Sequence, residues 1–174
     1  PAFGGLLSCG GWIYDSIMEL PLLKKVILIG PDEEAFSRVE PEFKEKVEFL
    51  SRERLLEMEE TEVSAFVKNQ VGEYPLYISI DKDVLCGADA DTNWSQGDMR
   101  LSTMLECLGA VKEKCAERIS RILGVDICGE CDVTEPGNSA LNDMANAALL
   151  EFFTSTDVGE DIEENKNGTT GGNG

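Results

Sequence analysis

Three β-branched, strongly apolar runs punctuate this chain, and each is followed by a stretch with helical character. They are Lys25-Val26-Ile27-Leu28-Ile29-Gly30, Pro75-Leu76-Tyr77-Ile78-Ser79-Ile80 and Ile122-Leu123-Gly124-Val125-Asp126-Ile127. Runs this short and apolar suit strands buried in a sheet, whereas a membrane span would need eighteen or more such residues. Val47-Glu48-Phe49-Leu50 offers a further short strand. Between the strands, Trp12–Leu20, a start at Pro31-Asp32-Glu33-Glu34, Arg52–Glu59 and Glu62–Asn69 read as helices. From Leu101 the apolar positions 101, 104, 105, 108, 115 and 119 keep one helical face, with Thr103 and Glu106 as its capping box. A last helix aligns Leu141, Met144, Ala145, Ala148, Leu149 and Phe152 on one stripe. Strand and helix in alternation, with short connections, predict a parallel sheet covered on both faces.

The 174 residues suit one domain with a sizeable core, read as 1–156, followed by an acidic, Gly-rich tail over 157–174 that is expected to be disordered. The chain opens at Pro1 without an initiator methionine, which is expected of a fragment. Acids outnumber bases 34 to 15, for a net charge of −19. Such a field repels nucleic acid and anionic membrane, because phosphate binding needs clustered Lys and Arg. Six cysteines without a signal segment read as reduced thiols of a cytoplasmic protein. The chain contains no histidine, so Ser-His-Asp and Cys-His catalysis and every His-containing metal site are excluded within it.

Chemistry is therefore left to carboxylates and thiols. Asp81 and Asp83 stand two apart where the second apolar run ends, so on a strand both would leave one face and Lys82 the other. Their Cα atoms would lie roughly 6.6 Å apart, twice the rise of a strand. The expected place is the end of a central parallel strand, where α/β sheets bind ligands. Two carboxylates about 4 Å apart repel by about 4 kcal/mol at an effective dielectric near 20, a cost that a divalent cation removes. Spacing alone serves equally a pair of acids capping a loop through backbone N–H groups. Asp89-Ala90-Asp91-Thr92-Asn93 imitates a calcium loop but fails it, with Trp94 where Gly must allow the turn and Arg100 where a bidentate Glu should close the site. Cys128-Gly129-Glu130-Cys131 is a lone C-x-x-C, read as buried or semi-buried thiols with neither zinc nor a disulfide.

Tyr77-Ile78-Ser79-Ile80-Asp81-Lys82-Asp83-Val84-Leu85 resembles the S-x-D-x-D-x-L strand end of the arginase/agmatinase/formiminoglutamase family, the ureohydrolases. The likeness continues in order. Val26-Ile27-Leu28-Ile29-Gly30 is similar to an earlier V-x-x-I-G strand, and Leu101–Ala110 to the helix after the metal loop. Leu123-Gly124-Val125-Asp126-Ile127 is similar to a G-x-D-I strand, and Asn138–Phe153 to the closing helix.

This resemblance implies a three-layer α/β/α fold with a mainly parallel sheet, arginase/deacetylase-like, of which the chain supplies the C-terminal part. It implies a dinuclear manganese hydrolase in which a bridging hydroxide attacks a planar carbon bearing nitrogen, with Asp81 and Asp83 as ligands. The remaining ligands, a His and an Asp-x-His-x-Asp segment, belong to an N-terminal part that this chain lacks. A histidine that assists proton transfer in many members would fall near Cys9. The Glu that touches guanidinium in arginase would fall at Gly129, leaving the neighbouring Glu130 as orienter of a small cationic substrate. A homo-oligomer is compatible with the resemblance. Two alternatives stay open: a binding or regulatory relative without catalysis, and a deacetylase-type hydrolase on the same fold.

Overall fold

The computed structural model describes residues 11–117, 120–130 and 139–155. Cys9, Cys131 and the tail therefore lie outside the described residues. The fold is mixed α/β: helix α1 (Trp12–Glu19), strand β1 (Val26–Ile29), the short helices α2 (Glu33–Ser37) and α3 (Pro41–Lys44), then β2 (Val47–Leu50). Helices α4 (Arg52–Glu57) and α5 (Glu60–Gln70) lead to β3 (Leu76–Asp81) and a 3-10 turn over Lys82–Val84. Helix α6 (Leu101–Ala116), β4 (Ile122–Cys128) and α7 (Ser139–Thr154) complete it.

Among the described residues all strand pairing is parallel, as the alternation of strands and helices predicts. β1 pairs with β2 from Val26↔Val47 to Ile29↔Leu50, and β3 pairs with β4 from Leu76↔Ile122 to Asp81↔Cys128. Among the described residues these are two separate pairs, so β3 has a strand neighbour on one side and is not the central strand that the apolar run suggested. Among the described residues, covering on both faces fails at β3. In β3, Ile78 and Ile80 turn inward, while Tyr77, Ser79 and Asp81 are exposed. The strand alternates apolar and polar residues, the pattern of a sheet with one solvated face.

A shared core joins the two pairs. One cluster gathers Ile80, Leu85, Met99, Met104, Leu108 and Leu149; the other gathers Leu50, Val63, Val67, Cys107 and Ala110. Ile29 and Leu55 pack against both. Helix α6 serves both because its buried residues fall on adjoining faces, Met104 and Leu108 toward one cluster, Cys107 and Ala110 toward the other. Burial also pushes the Cys107 thiol up to about 11, which leaves it protonated at neutral pH.

Two local expectations are corrected. Helix α6 is not capped by Thr103 and Glu106: its N-cap is Arg100, and the Leu101 N–H donates to Asp89 Oδ2 at 2.9 Å. Asp89, which resembled a calcium ligand, thus works as a helix cap and also pairs with Arg100 at 2.8 Å. On α7, Met144 is 68% exposed, while Asn142 takes a buried place beside Ala145 and Leu149.

Candidate functional site

β3 ends at Asp81 because its carboxylate turns back on the backbone: Oδ1 accepts the Asp83 N–H at 3.1 Å. This Asx-type contact starts the 3-10 turn, whose Leu85 N–H returns to the Lys82 carbonyl at 2.9 Å. Asp83 accordingly sits on the turn rather than on the strand, and the period-two geometry stops one residue short of it. The loop-capping reading holds for Asp81. The two carboxylates are nonetheless close enough to interact. Burial, and then the charge of Asp81, raise the Asp83 pKa above the usual carboxylate value. The buried Thr92 hydroxyl makes no full hydrogen bond, but it lies near enough to Asp83 to oppose part of that rise.

The other side of the turn is held by Lys82, whose side chain is completely buried. Its Nζ donates to Glu130 Oε1 at 2.5 Å and to Asn146 Oδ1 at 2.8 Å, and Asn146 Nδ2 donates to the same Glu130 oxygen at 2.7 Å. The hydrogen bonds from Lys82, then Asn146, hold the Glu130 carboxyl below its ordinary range. Period two explains the placement: Lys82 continues the inward series of Ile78 and Ile80 and meets α7. Asn142 anchors the next loop from one turn earlier on α7, accepting the Asp91 N–H at 3.0 Å and donating to the Asp91 carbonyl at 2.7 Å.

Gly129 closes the arrangement. Its φ is +79°, and a Cβ there would stand 2.4 Å from Asp81 Oδ1, 2.7 Å from the Lys82 nitrogen and 2.8 Å from the Asp83 nitrogen. The space that a side chain at position 129 would need is thus filled by the turn itself. Cys128, paired in register with Asp81, is exposed rather than buried or semi-buried, because β4 presents its last residue on the open face. On that face Ser79 Oγ donates to Asp126 Oδ1 at 2.8 Å, and a hydrogen bond to the same carboxylate raises the Tyr77 pKa.

A cleft of about 170 Å³ opens beyond β1, lined by Gly30, Arg52, Val84, Asp98 and Arg100 among others. Its charges are matched: Arg52 Nε donates to Asp98 at 2.5 Å, and Arg100 pairs with Asp89.

As cation ligands, the carboxylates fit in kind and fall short in number. Hard oxygen donors suit a divalent ion. Among the described residues, however, no group of three His, Cys, Asp or Glu comes together to hold one. No helix of the described residues is long and apolar enough to cross a membrane.

The sequence pointed to Asp81, Asp83 and Glu130, and the structure gathers all three around one turn. It did not point to Lys82 and Asn146 as partners. The signals were there: a lysine at an inward strand position, and asparagines four apart on an apolar helix stripe.

No protein-family model matches the chain. Among curated proteins it is similar to an uncharacterized protein of Thermotoga maritima, 32% identical over 150 residues. That match covers 84% of this chain and 51% of the relative, so the chain spans about half the length of the relative.

Proposed function

We propose that Asp81 and Asp83 contribute two carboxylate ligands to a divalent-cation centre, manganese by the resemblance, in a hydrolase of the arginase/agmatinase/formiminoglutamase type. The observation that carries this reading is a pair of carboxylates two residues apart where a parallel strand runs into a turn; burial, and then the charge of Asp81, raise the Asp83 pKa. The substrate class would be a small amidine or guanidine whose non-peptide C–N bond is hydrolysed, on an α/β/α fold completed by the rest of a longer protein. Bound cations would supply water activation at neutral pH. In this chain Asp81 and Asp83 provide charge and orientation, and the missing ligands come from outside the described residues. Glu130 Oε1 is committed to Lys82 and Asn146, so orientation of a cationic substrate would fall to its Oε2.

A non-catalytic relative is the second reading, favoured by the filled Gly129 position and the lysine already seated on Glu130. Assay of the whole natural protein with manganese, against guanidino, formimino and acetyl-amine compounds, separates the readings. Turnover of the first two kinds supports the proposal. Turnover of acetyl-amines alone indicates a deacetylase-type enzyme, and metal uptake without any turnover indicates the non-catalytic relative.

A further inference from the structure

Lysine is almost never fully buried without a partner, and burying a charge pair is costly enough that apolar replacements often do as well or better for stability. The neighbouring inward positions of β3 are isoleucines, so an apolar side chain at 82 would have been the simple solution. The chain instead buries Lys82 against Glu130 and Asn146, tying the turn after β3 to the residue pair after β4 and to α7. Lys82 is also the single residue between Asp81 and Asp83, so its backbone angles set how the two carboxylates stand to each other. Gly129 lies against the same turn from the β4 side, so near that a Cβ there would stand 2.4 Å from Asp81 Oδ1. We propose that the Lys82–Glu130–Asn146 cluster is a positioning lock that holds the Asp81–Asp83 turn in one geometry.

The lock rests on geometry alone, and only its consequence for cation binding rests on the reading above. The test compares the whole natural protein with its Lys82→Met variant, which keeps an unbranched buried stem without the charge, and with its Glu130→Ala and Glu130→Gln variants. Three quantities are measured: the urea midpoint, hydrogen exchange at the Asp83 and Leu85 amides, and manganese(II) binding by loss of the free-ion paramagnetic resonance signal. A lock predicts that Lys82→Met leaves the urea midpoint nearly unchanged, while Glu130→Ala, which strands the buried Lys82 ammonium, lowers it. Both variants should speed exchange at both amides at least tenfold and weaken manganese binding by a similar factor. Glu130→Gln, which keeps an oxygen for Lys82, should retain most of the protection. Should Lys82→Met fail to fold, Glu130→Ala gives the exchange readout, taken relative to the amide of the buried Leu108 so that the global loss of stability is divided out. Faster exchange with no manganese uptake even by wild type upholds the lock and overturns the metal reading. Unchanged exchange in all variants overturns the lock, whatever the chain does with manganese.

Discussion

Gly129 and Asp81 meet where a β-carbon has no room. Replacing Gly129 by Ala combines a φ of +79° with the contact at 2.4 Å on the Asp81 carboxylate. A loss of about 1–3 kcal/mol is expected in urea denaturation, the cost of a strained backbone position. Asp83 gives a prediction of opposite sign. Its folded pKa is raised, so the folded state holds the proton more tightly than the unfolded chain does. The stabilising effect is complete below the unfolded value and is lost as pH rises through the folded one, leaving the ionised group unfavourable at neutral pH. In metal-free buffer at pH 7, Asp83→Asn should therefore have a urea midpoint at or above that of wild type, and the advantage should vanish in acid. A midpoint clearly below wild type at pH 7 would remove the repulsion from the picture. Glu130 runs the other way: its lowered pKa contributes stability above the ordinary carboxylate value that is lost as pH falls through the folded value. At this scale, period two was enough to show that Asp81 and Asp83 are neighbours and that Lys82 faces away from them. It could not show that Asp81 folds back onto the Asp83 amide, because strand and turn share the same local sequence.

Among the elements, the strands were the most legible. Val26–Ile29, Val47–Leu50, Leu76–Asp81 and Ile122–Cys128 follow their apolar runs closely, since a β-branched run between helices has few other uses. Helix ends were less legible. The cap of α6 comes from Asp89, twelve residues before the amide it accepts, and no local pattern reports a cap delivered by a loop. Asp89→Ala removes both this hydrogen bond and the pairing with Arg100. A loss of about 1 kcal/mol is expected, read as a lower urea midpoint, whereas Thr103→Ala should have little effect. An equal loss in the two variants would return the cap to Thr103. On α7 the apolar stripe holds at Ala145, Leu149 and Phe152 and departs at Met144, because Asn142 and Asn146 face inward to hold the loop and Lys82.

For the whole molecule, the α/β class and the parallel pairing were legible, and the arrangement of the sheet was not. Ile29 and Leu55 knit the two strand pairs into one core with, among the described residues, no strand pairing between them, a relation that depends on distant packing rather than on pattern. The open face of β3 was visible in the alternation of Tyr77, Ser79 and Asp81 with isoleucines, but the apolar character of the run outweighed it. The chain spans about half the length of the relative it matches. The most direct test is the manganese content of the whole natural protein and of its Asp83→Asn variant after exhaustive dialysis against metal-free buffer. Retention of manganese by the wild type, with affinity at least tenfold weaker in a folded Asp83→Asn variant, is the expected result. Equal manganese in both proteins would show that the carboxylate pair is not the site.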